Sequence, residues 1–437
     1  MQYDDLLDRA TEVLTMNDRG SYTQPAHGLY PHQWLWDSCF AAIGIRNINI
    51  ARAQTELLSL LRGQWHNGMF PNIIFRSDSQ YRTDRNIWRS WLNTFAPSNV
   101  TTTGITQPPV LAEAVVKIGE KLDWPERRTW YRSMWPALLA YHEWLYHERD
   151  PHKEGLTLQI HPWETGLDNT PPWINEMHMH QLPLWITAVK ATHFDMVINL
   201  FRRDTHSVPI DQRFSTIEAL TLFDMQRRLR RKSYEINKIL DHSLLTIEDL
   251  SFNCILVRAN THLRQIAKSL HKELPKELLT SMRRTEKALE ELYDDYTKQY
   301  YSRDFITHRL LKIPTVATLL PLYAGSISKE RAAILVKYLE DEQMFGSAYP
   351  APSVPINSDW FHPKLYWQGP TWVNINWLII DGLKRYGYHE HAAAMTESTL
   401  EMVAKSGFYE YFDPLNGEGA GAANFSWTAA LVIDLLS

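Results

Sequence analysis

Apolar residues recur at spacings of three and four along most of this chain, and strand-type alternation never runs beyond a few residues. That pattern predicts a helix over residues 3–16, with Leu6, Leu7, Ala10, Val13 and Leu14 on one stripe. Further helices are expected over Asp37–Gly44, Ile50–Arg62 and Pro125–His147, and Pro108 and Pro109 suit the first turn of one running to Lys121. Helical spacing continues over Met179–His193, Ile217–Leu240, Thr246–Leu270 and Leu278–Tyr300. The C-terminal part adds Thr315–Ala324, Lys329–Glu340, Gln368–Tyr386, His389–Ala404 and Phe425–Leu436. Roughly twelve to fourteen helices that each bury one face imply an all-α fold, and helices that pair in this way can close into a double ring of inner and outer helices. No stretch has linker composition, so residues 1–437 are expected to form a single domain.

Between these helices lie long irregular segments rich in aromatic residues, and loops are where chemistry is expected on a rigid helical frame. His161–Trp173 reads HPWETGLDNTPPW. It sets Glu164 and Asp168 among Trp163, Trp173, Gly166 and two prolines, which are expected to delay the next helix. Carboxyls held against apolar rings have raised pKa values, because desolvation disfavours the charged form. A general acid at neutral pH needs that property. The alternative for this segment is a rigid, buried, hydrogen-bonded loop without chemistry.

A second acidic segment, Phe408–Pro414, places Glu410 between Tyr409 and Tyr411, with Asp413 close by and a glycine-rich run from Gly417 to Gly421 behind it. Two carboxylates far apart in sequence, both among rings, suit glycoside hydrolysis, in which an acid and a base face each other across the bond. Trp34, Trp36 and Asp37 could stack on a sugar and bind its hydroxyls, and Gln107 could donate and accept at once. Tyr366, Trp367, Gln368 and Trp372 repeat that chemistry. Each of these also has an ordinary structural role open to it: Asp37 as a helix cap, Trp372 as core.

Composition narrows the function classes. Seventeen Trp and 20 Tyr supply flat amphipathic faces that suit sugars. A formal charge of −5 argues against nucleic acid as the main partner. No apolar run approaches the roughly 20 residues of a membrane span, and the N-terminus lacks the pattern of a signal peptide, so a cytoplasmic location is expected. Cys39 and Cys254 build neither a disulfide framework nor a metal pattern. His178 with His180, and His389 with His391, stand two apart without carboxylates at ligand spacing, so no metal is expected. The basic run from Arg227 to Lys232 reads as a solvated helix face rather than an anion site. No cofactor is expected, because no phosphate-cradling glycine loop or nucleophile elbow is present. A homo-oligomer is left open.

Taken in order, YPHQWLWDSCF (Tyr30–Phe40), GMFPN (Gly68–Asn72), TQPP (Thr106–Pro109), WETGLDNTPPW (Trp163–Trp173), YWQGPTW (Tyr366–Trp372) and EYFDPLNGEGAGAANFSW (Glu410–Trp427) resemble glycoside hydrolase family 63, nearest its compact glucosylglycerate and mannosylglycerate hydrolases. Residues 205–300 carry little of the resemblance. It implies an (α/α)6 barrel and inverting hydrolysis of a small α-glucoside or α-mannoside, with Asp168 as general acid and Glu410 as general base. It also implies a sugar pocket lined by Trp36, Asp37, Gln107, Tyr366, Trp367 and Gln368; Tyr30, Trp34, Asn169 and Trp372 are counted with them. Thr165 departs mildly from the Ser of many relatives.

A glycerate aglycone needs a cation, and a guanidinium is the natural one. Arg202, Arg203 and Arg76 are the candidates; without a cation at the mouth, glycerol or another sugar becomes the better aglycone. A sugar epimerase would need a His pair in the pocket, and a non-catalytic sugar-binding protein would have a carboxylate turned away.

Overall fold

The computed structural model describes residues 3–179, 183–199, 202, 204–241 and 245–437. His180 and Arg203 lie outside the described residues.

Six helices close a ring around the molecular axis. They are α2 (Leu35–Ile45), α5 (Leu111–Glu120), α12 (Leu250–Leu270), α14 (Pro321–Ala324), α16 (Val373–Arg385) and α18 (Ser426–Leu436). α2 packs on α5, α5 on α12, α12 on α14, α14 on α16, α16 on α18, and α18 returns to α2. An outer helix covers each: α3 (Ile50–Leu60) on α2, α6 (Trp124–Glu148) on α5, α13 (Lys276–Ala288) on α12, α15 (Lys329–Glu340) on α14, α17 (His389–Ser406) on α16, and α1 (Asp4–Asn17) on α18. The architecture is an (α/α)6 barrel.

The sequence explains which helices are inner. Every residue of α2 is buried, which suits a helix apolar on all sides. α1 and α3 carry charges on one face and bury only the other. Gly44 lets α2 touch α18: a Cβ there would sit 2.2 Å from the carbonyl oxygen of Ala430.

Six further helices lie outside the double ring: α4 (Arg82–Trp88), α7 (Pro171–Met179), α8 (Leu184–Ala191), α9 (Asp195–Asn199), α10 (Thr216–Arg231) and α11 (Ile236–Leu240); α10 packs on α4, α8 and α9. Trp173, Ile174, Met177 and Leu222 form a small core of their own between α7 and α10.

Several sequence expectations change. Pro171 and Pro172 do not delay α7 but start it, because proline is tolerated in a first turn whose N–H groups have no helical acceptor. Pro108 and Pro109 instead precede α5, which begins at Leu111. The helix expected over Ile217–Leu240 breaks where Ser233 and Tyr234 take positive φ. The glycine-rich segment after Glu410 is a hairpin, with Tyr409–Phe412 paired antiparallel to Gly419–Ala423.

Candidate active site

The segments leading into the N-terminal ends of α2, α5, α16 and α18 meet over one cavity of about 190 Å³. Eight of the residues singled out in the sequence line it: Asp168, Glu410, Tyr30, Trp34, Trp36, Asp37, Gln107 and Tyr366. Trp163, Gly166, Phe214, Phe425 and Trp427 complete the apolar walls, and Arg213 is the cation among them. Among the described residues no histidine lines this cavity, so the His pair that an epimerase would need is not found there.

The first wall is the start of α2. Trp34 is its N-cap, and the backbone N–H of Trp36 donates to Gln107 Oε1 at 3.3 Å. The Gln107 side chain thus fills an unmet helix donor and is held facing the cavity. Trp36 meets Trp427 edge-to-face at 5.4 Å. Gly166 closes the wall on the other side; its φ of +73° and the 2.5 Å from an added Cβ to the Trp36 ring both require glycine.

Glu164, the first carboxylate of the central loop, is a brace. It is fully buried, 2.6 Å from Arg149 Nη2, and accepts from the backbone N–H groups of Thr106 and Ile160. It ties the loop carrying Asp168 to the loop carrying Gln107. Asp413 is likewise taken up locally, accepting from Leu415 N and Asn416 Nδ2.

Asp168 is half-buried and lines the cavity. Burial lifts its carboxyl to about 7, against the opposing pull of the Tyr366 hydroxyl, which donates to Oδ2 at 3.1 Å, and of Arg213; Glu410 adds to the lift. Tyr366 is held with a left-handed φ of 43°, an uncommon setting for a bulky residue and a frequent mark of functional positions.

What holds Tyr366 there is the group expected at the sugar itself. The Trp367 N–H donates to Asn169 Oδ1 at 2.9 Å, Gln368 Nε2 to the Asn169 carbonyl at 2.9 Å, and Trp372 Nε1 to the Tyr366 carbonyl at 3.1 Å. Trp367 and Trp372 stack face to face at 3.7 Å. Asn169, Trp367, Gln368 and Trp372 therefore stand behind the wall as a clamp that joins Tyr366 to the residue after Asp168. They do not line the cavity. Asn169 Oδ1, Gln368 Nε2 and Trp372 Nε1 are taken up by backbone groups that loop geometry leaves without partners, while Asn169 Nδ2 and Trp367 Nε1 are buried without an acceptor.

Glu410 lies at an irregularity of the hairpin, where the register shifts between Tyr409 and Tyr411. The Ala422 N–H donates to its Oε2 at 3.0 Å and the Tyr30 hydroxyl to its Oε1 at 2.9 Å. Arg213 Nη1 stands 3.6 Å from Oε1, while Nη2 donates to the Tyr30 hydroxyl at 3.0 Å. Burial raises the Glu410 carboxyl; Arg213 and these donors oppose it. Asp37, buried and facing the same space, is pushed well above the usual carboxylate range, first by burial and further by Glu410 and Asp168.

Arg213 is the residue the sequence did not disclose. It sits in a plain polar stretch, Asp211-Gln-Arg-Phe-Ser215, within the part of the chain that carried little resemblance. Gln212 fastens the stretch to the hairpin by accepting from Tyr411 at its carbonyl and from Gly421 N at its side chain. The guanidinium stacks over the Tyr366 ring at 4.3 Å, and its Nη1 has no hydrogen-bond acceptor. Arg202 instead pairs with Asp204 at 2.6 Å and donates to the Phe214 carbonyl, which supports Arg213 from outside the cavity. Arg76 pairs with Asp78 at 2.7 Å and does not line it either.

Comparison with known proteins gives the family. Residues 30–428 match the profile of the mannosylglycerate hydrolase MGH1-like glycoside hydrolase domain. The chain belongs to that glycoside hydrolase family. Among its relatives, this family member is 37% identical over 433 residues to a mannosylglycerate hydrolase of Thermus thermophilus, covering 97% of this chain and 99% of the relative. It is 32% identical over 445 residues to a glucosylglycerate hydrolase of Mycolicibacterium hassiacum, covering 98% and 97%. A crystal structure of the Thermus thermophilus mannosylglycerate hydrolase in complex with Tris and D-glycerate superposes with a TM-score of 0.89 at 37% identity, covering 99% of this chain and all of that one. No described helix is long and apolar enough to cross a membrane.

Proposed function

We propose that this glycoside hydrolase cleaves an α-glycoside of glycerate, mannosyl or glucosyl, with inversion, and that the chain acts as one catalytic domain. The observation that carries the aglycone is Arg213: a buried guanidinium on the cavity wall, whose Nε and Nη1 lack a hydrogen-bond acceptor and stand 3.7 Å from Asp204 and 3.6 Å from Glu410. A carboxylate-bearing aglycone can accept a charge-assisted bond from this guanidinium, and a neutral one gains less from it. The small cavity suits a monosaccharide with a short aglycone, since drug-sized ligands occupy pockets of about 300–1,000 Å³.

In this reading Asp168, with its carboxyl near 7, gives its proton to the departing glycerate oxygen. Glu410 keeps its charge because three donor groups converge on it, and it takes a proton from the attacking water. The trapped sugar ring lies between Trp34, Trp36 and Trp427, with Asp37 and Gln107 on its hydroxyls. Inversion requires the two carboxyl groups roughly 6.5–9.5 Å apart, so that a water fits between base and anomeric carbon.

The test is hydrolysis of mannosylglycerate, glucosylglycerate and the matching glycerol glycosides, followed by NMR as each sugar is released. The first-formed sugar is expected as the β-anomer. Arg213→Gln should raise KM for the glycerate glycosides at least tenfold, and should leave KM for the glycerol glycosides little changed while lowering kcat for both through the lost support of Glu410. Equal rates on both aglycones, or α-anomer formed first, would refute the reading.

A further inference from the structure

The basic run on α10 has a counterpart across a cleft. Arg227, Arg228, Arg231 and Lys232 face Trp185 and Pro183, at the start of α8, over a cleft of about 380 Å³ with Asp224 at its base. Asp224 is buried and already shared: Arg228 Nε lies 2.6 Å from it, Arg227 Nη2 3.6 Å, and Trp185 Nε1 donates to it at 3.3 Å. Four cations thus meet one carboxylate. Among the described residues no carboxylate pairs with Arg231 or Lys232, and Arg227 Nε is buried without an acceptor.

Cations in a last helical turn complement the helix dipole, but that accounts for only about half an elementary charge. Backbone carbonyls take up two of the run without neutralising either: Arg230 reaches Ile87 at 2.8 Å, away from the cleft, and Lys232 Nζ donates to Lys238. Arg227, Arg228, Arg231 and Lys232, against Asp224, leave about three positive charges together beside an indole. None belongs to the catalytic cavity.

We propose that this cleft binds a small phosphate-class anion. Planar guanidinium forks match phosphoryl oxygens in pairs, and a dianion compensates most of the surplus charge. The indole of Trp185 offers a face for the body of the molecule that carries the phosphoryl group. An extended polyanion does not suit a patch this local on a chain of net charge −5. An occupant bridges Trp185 of α8 to the C-terminal half of α10, whose N-terminal end follows directly on Arg213 and Phe214.

Calorimetric titration of the full chain with inorganic phosphate and with pyrophosphate, in low-salt buffer and against chloride at equal ionic strength, tests this. Saturable binding of one anion per chain is expected, tighter for pyrophosphate. It should weaken at least tenfold in Arg231→Gln/Lys232→Gln and in Arg227→Gln, and persist in Arg213→Gln. The double variant should keep its turnover in phosphate-free buffer, and bound anion should slow hydrogen exchange of the α8 amides in the wild type only. Chloride acting as well as phosphate, or binding lost in Arg213→Gln and kept in the double variant, would overturn the proposal.

Discussion

Tyr366→Phe removes one oxygen and leaves the ring on which Arg213 stacks. The lost hydroxyl donates to Asp168 Oδ2 at 3.1 Å, and this bond favours the carboxylate over the acid. Hydrogen bonds to charged groups contribute about 1.5–3 kcal/mol. An O–H···O separation of 3.1 Å is longer than the usual 2.7–2.8 Å, which selects the lower end of that range. With 1.36 kcal/mol per pKa unit, Asp168 should rise by about one unit from its value near 7. If Asp168 is the general acid, activity falls as it deprotonates, so the alkaline limb of kcat/KM against pH should move up by about one unit in the variant. If Glu410 is the base, the acid limb should move far less. The maximum rate should drop, because a weaker acid transfers its proton less readily. An alkaline limb that stays put or moves down would show that the titrating group is not Asp168, and the acid assignment would fall with it.

The other predictions concern the same residues and their braces. Asp168→Asn and Glu410→Gln should each cut kcat by about 10²–10⁴, the usual range for acid–base groups, read by sugar release at saturating substrate. Glu164→Gln leaves buried Arg149 without its countercharge and should cost about 3 kcal/mol in denaturant unfolding, with kcat/KM falling more than tenfold as the loop carrying Asp168 loosens. Asp168→Asn should also stabilise the fold, and more at pH 8 than at pH 5. The folded carboxyl titrates near 7 against 3.8 unfolded, so its favourable contribution is complete below about 4 and lost as pH rises through 7. The two conditions should differ by roughly 2 kcal/mol, discounted for cavity water; an equal gain in melting temperature at both would contradict the shift.

Helical spacing was enough to read an all-α fold able to close into a double ring, and the ordered motifs supplied the barrel; which helices are inner shows in the structure, where α2 is buried along its whole length. The two acidic loops were legible for a related reason: Asp168 and Glu410 lie among rings in segments that cannot be helix. What sequence could not show was direction. Trp36 and Trp372 are both tryptophans in aromatic runs, yet one faces the cavity and the other donates to the Tyr366 carbonyl behind it. The difference is set by the left-handed turn at Tyr366, for which the sequence carries no glycine signal. Arg213 was hidden for a different reason. Its surroundings in sequence are those of any surface arginine, and its burial depends on Tyr30, Tyr366 and Glu410 arriving from opposite ends of the chain.

Arg213 also decides how charge is shared in the cavity. Asp37, Asp168 and Glu410 all face it, and burial raises all three, so they cannot all ionise there without cost. Among the described residues one guanidinium lines the cavity with them, and it stands beside Glu410, which has two further donors, whereas the donor to Asp168 is the Tyr366 hydroxyl. The same environment therefore favours a carboxylate at one position and an acid at the other. On the proposed reading, an incoming glycerate carboxylate competes for Arg213 and weakens its support of Glu410. The base then holds a proton more readily in the presence of substrate than in the empty enzyme, at the step that needs it. A neutral aglycone leaves Arg213 with Glu410, so it forfeits both a contact and this gain in basicity. Discrimination against glycerol glycosides should accordingly appear in kcat as well as in KM.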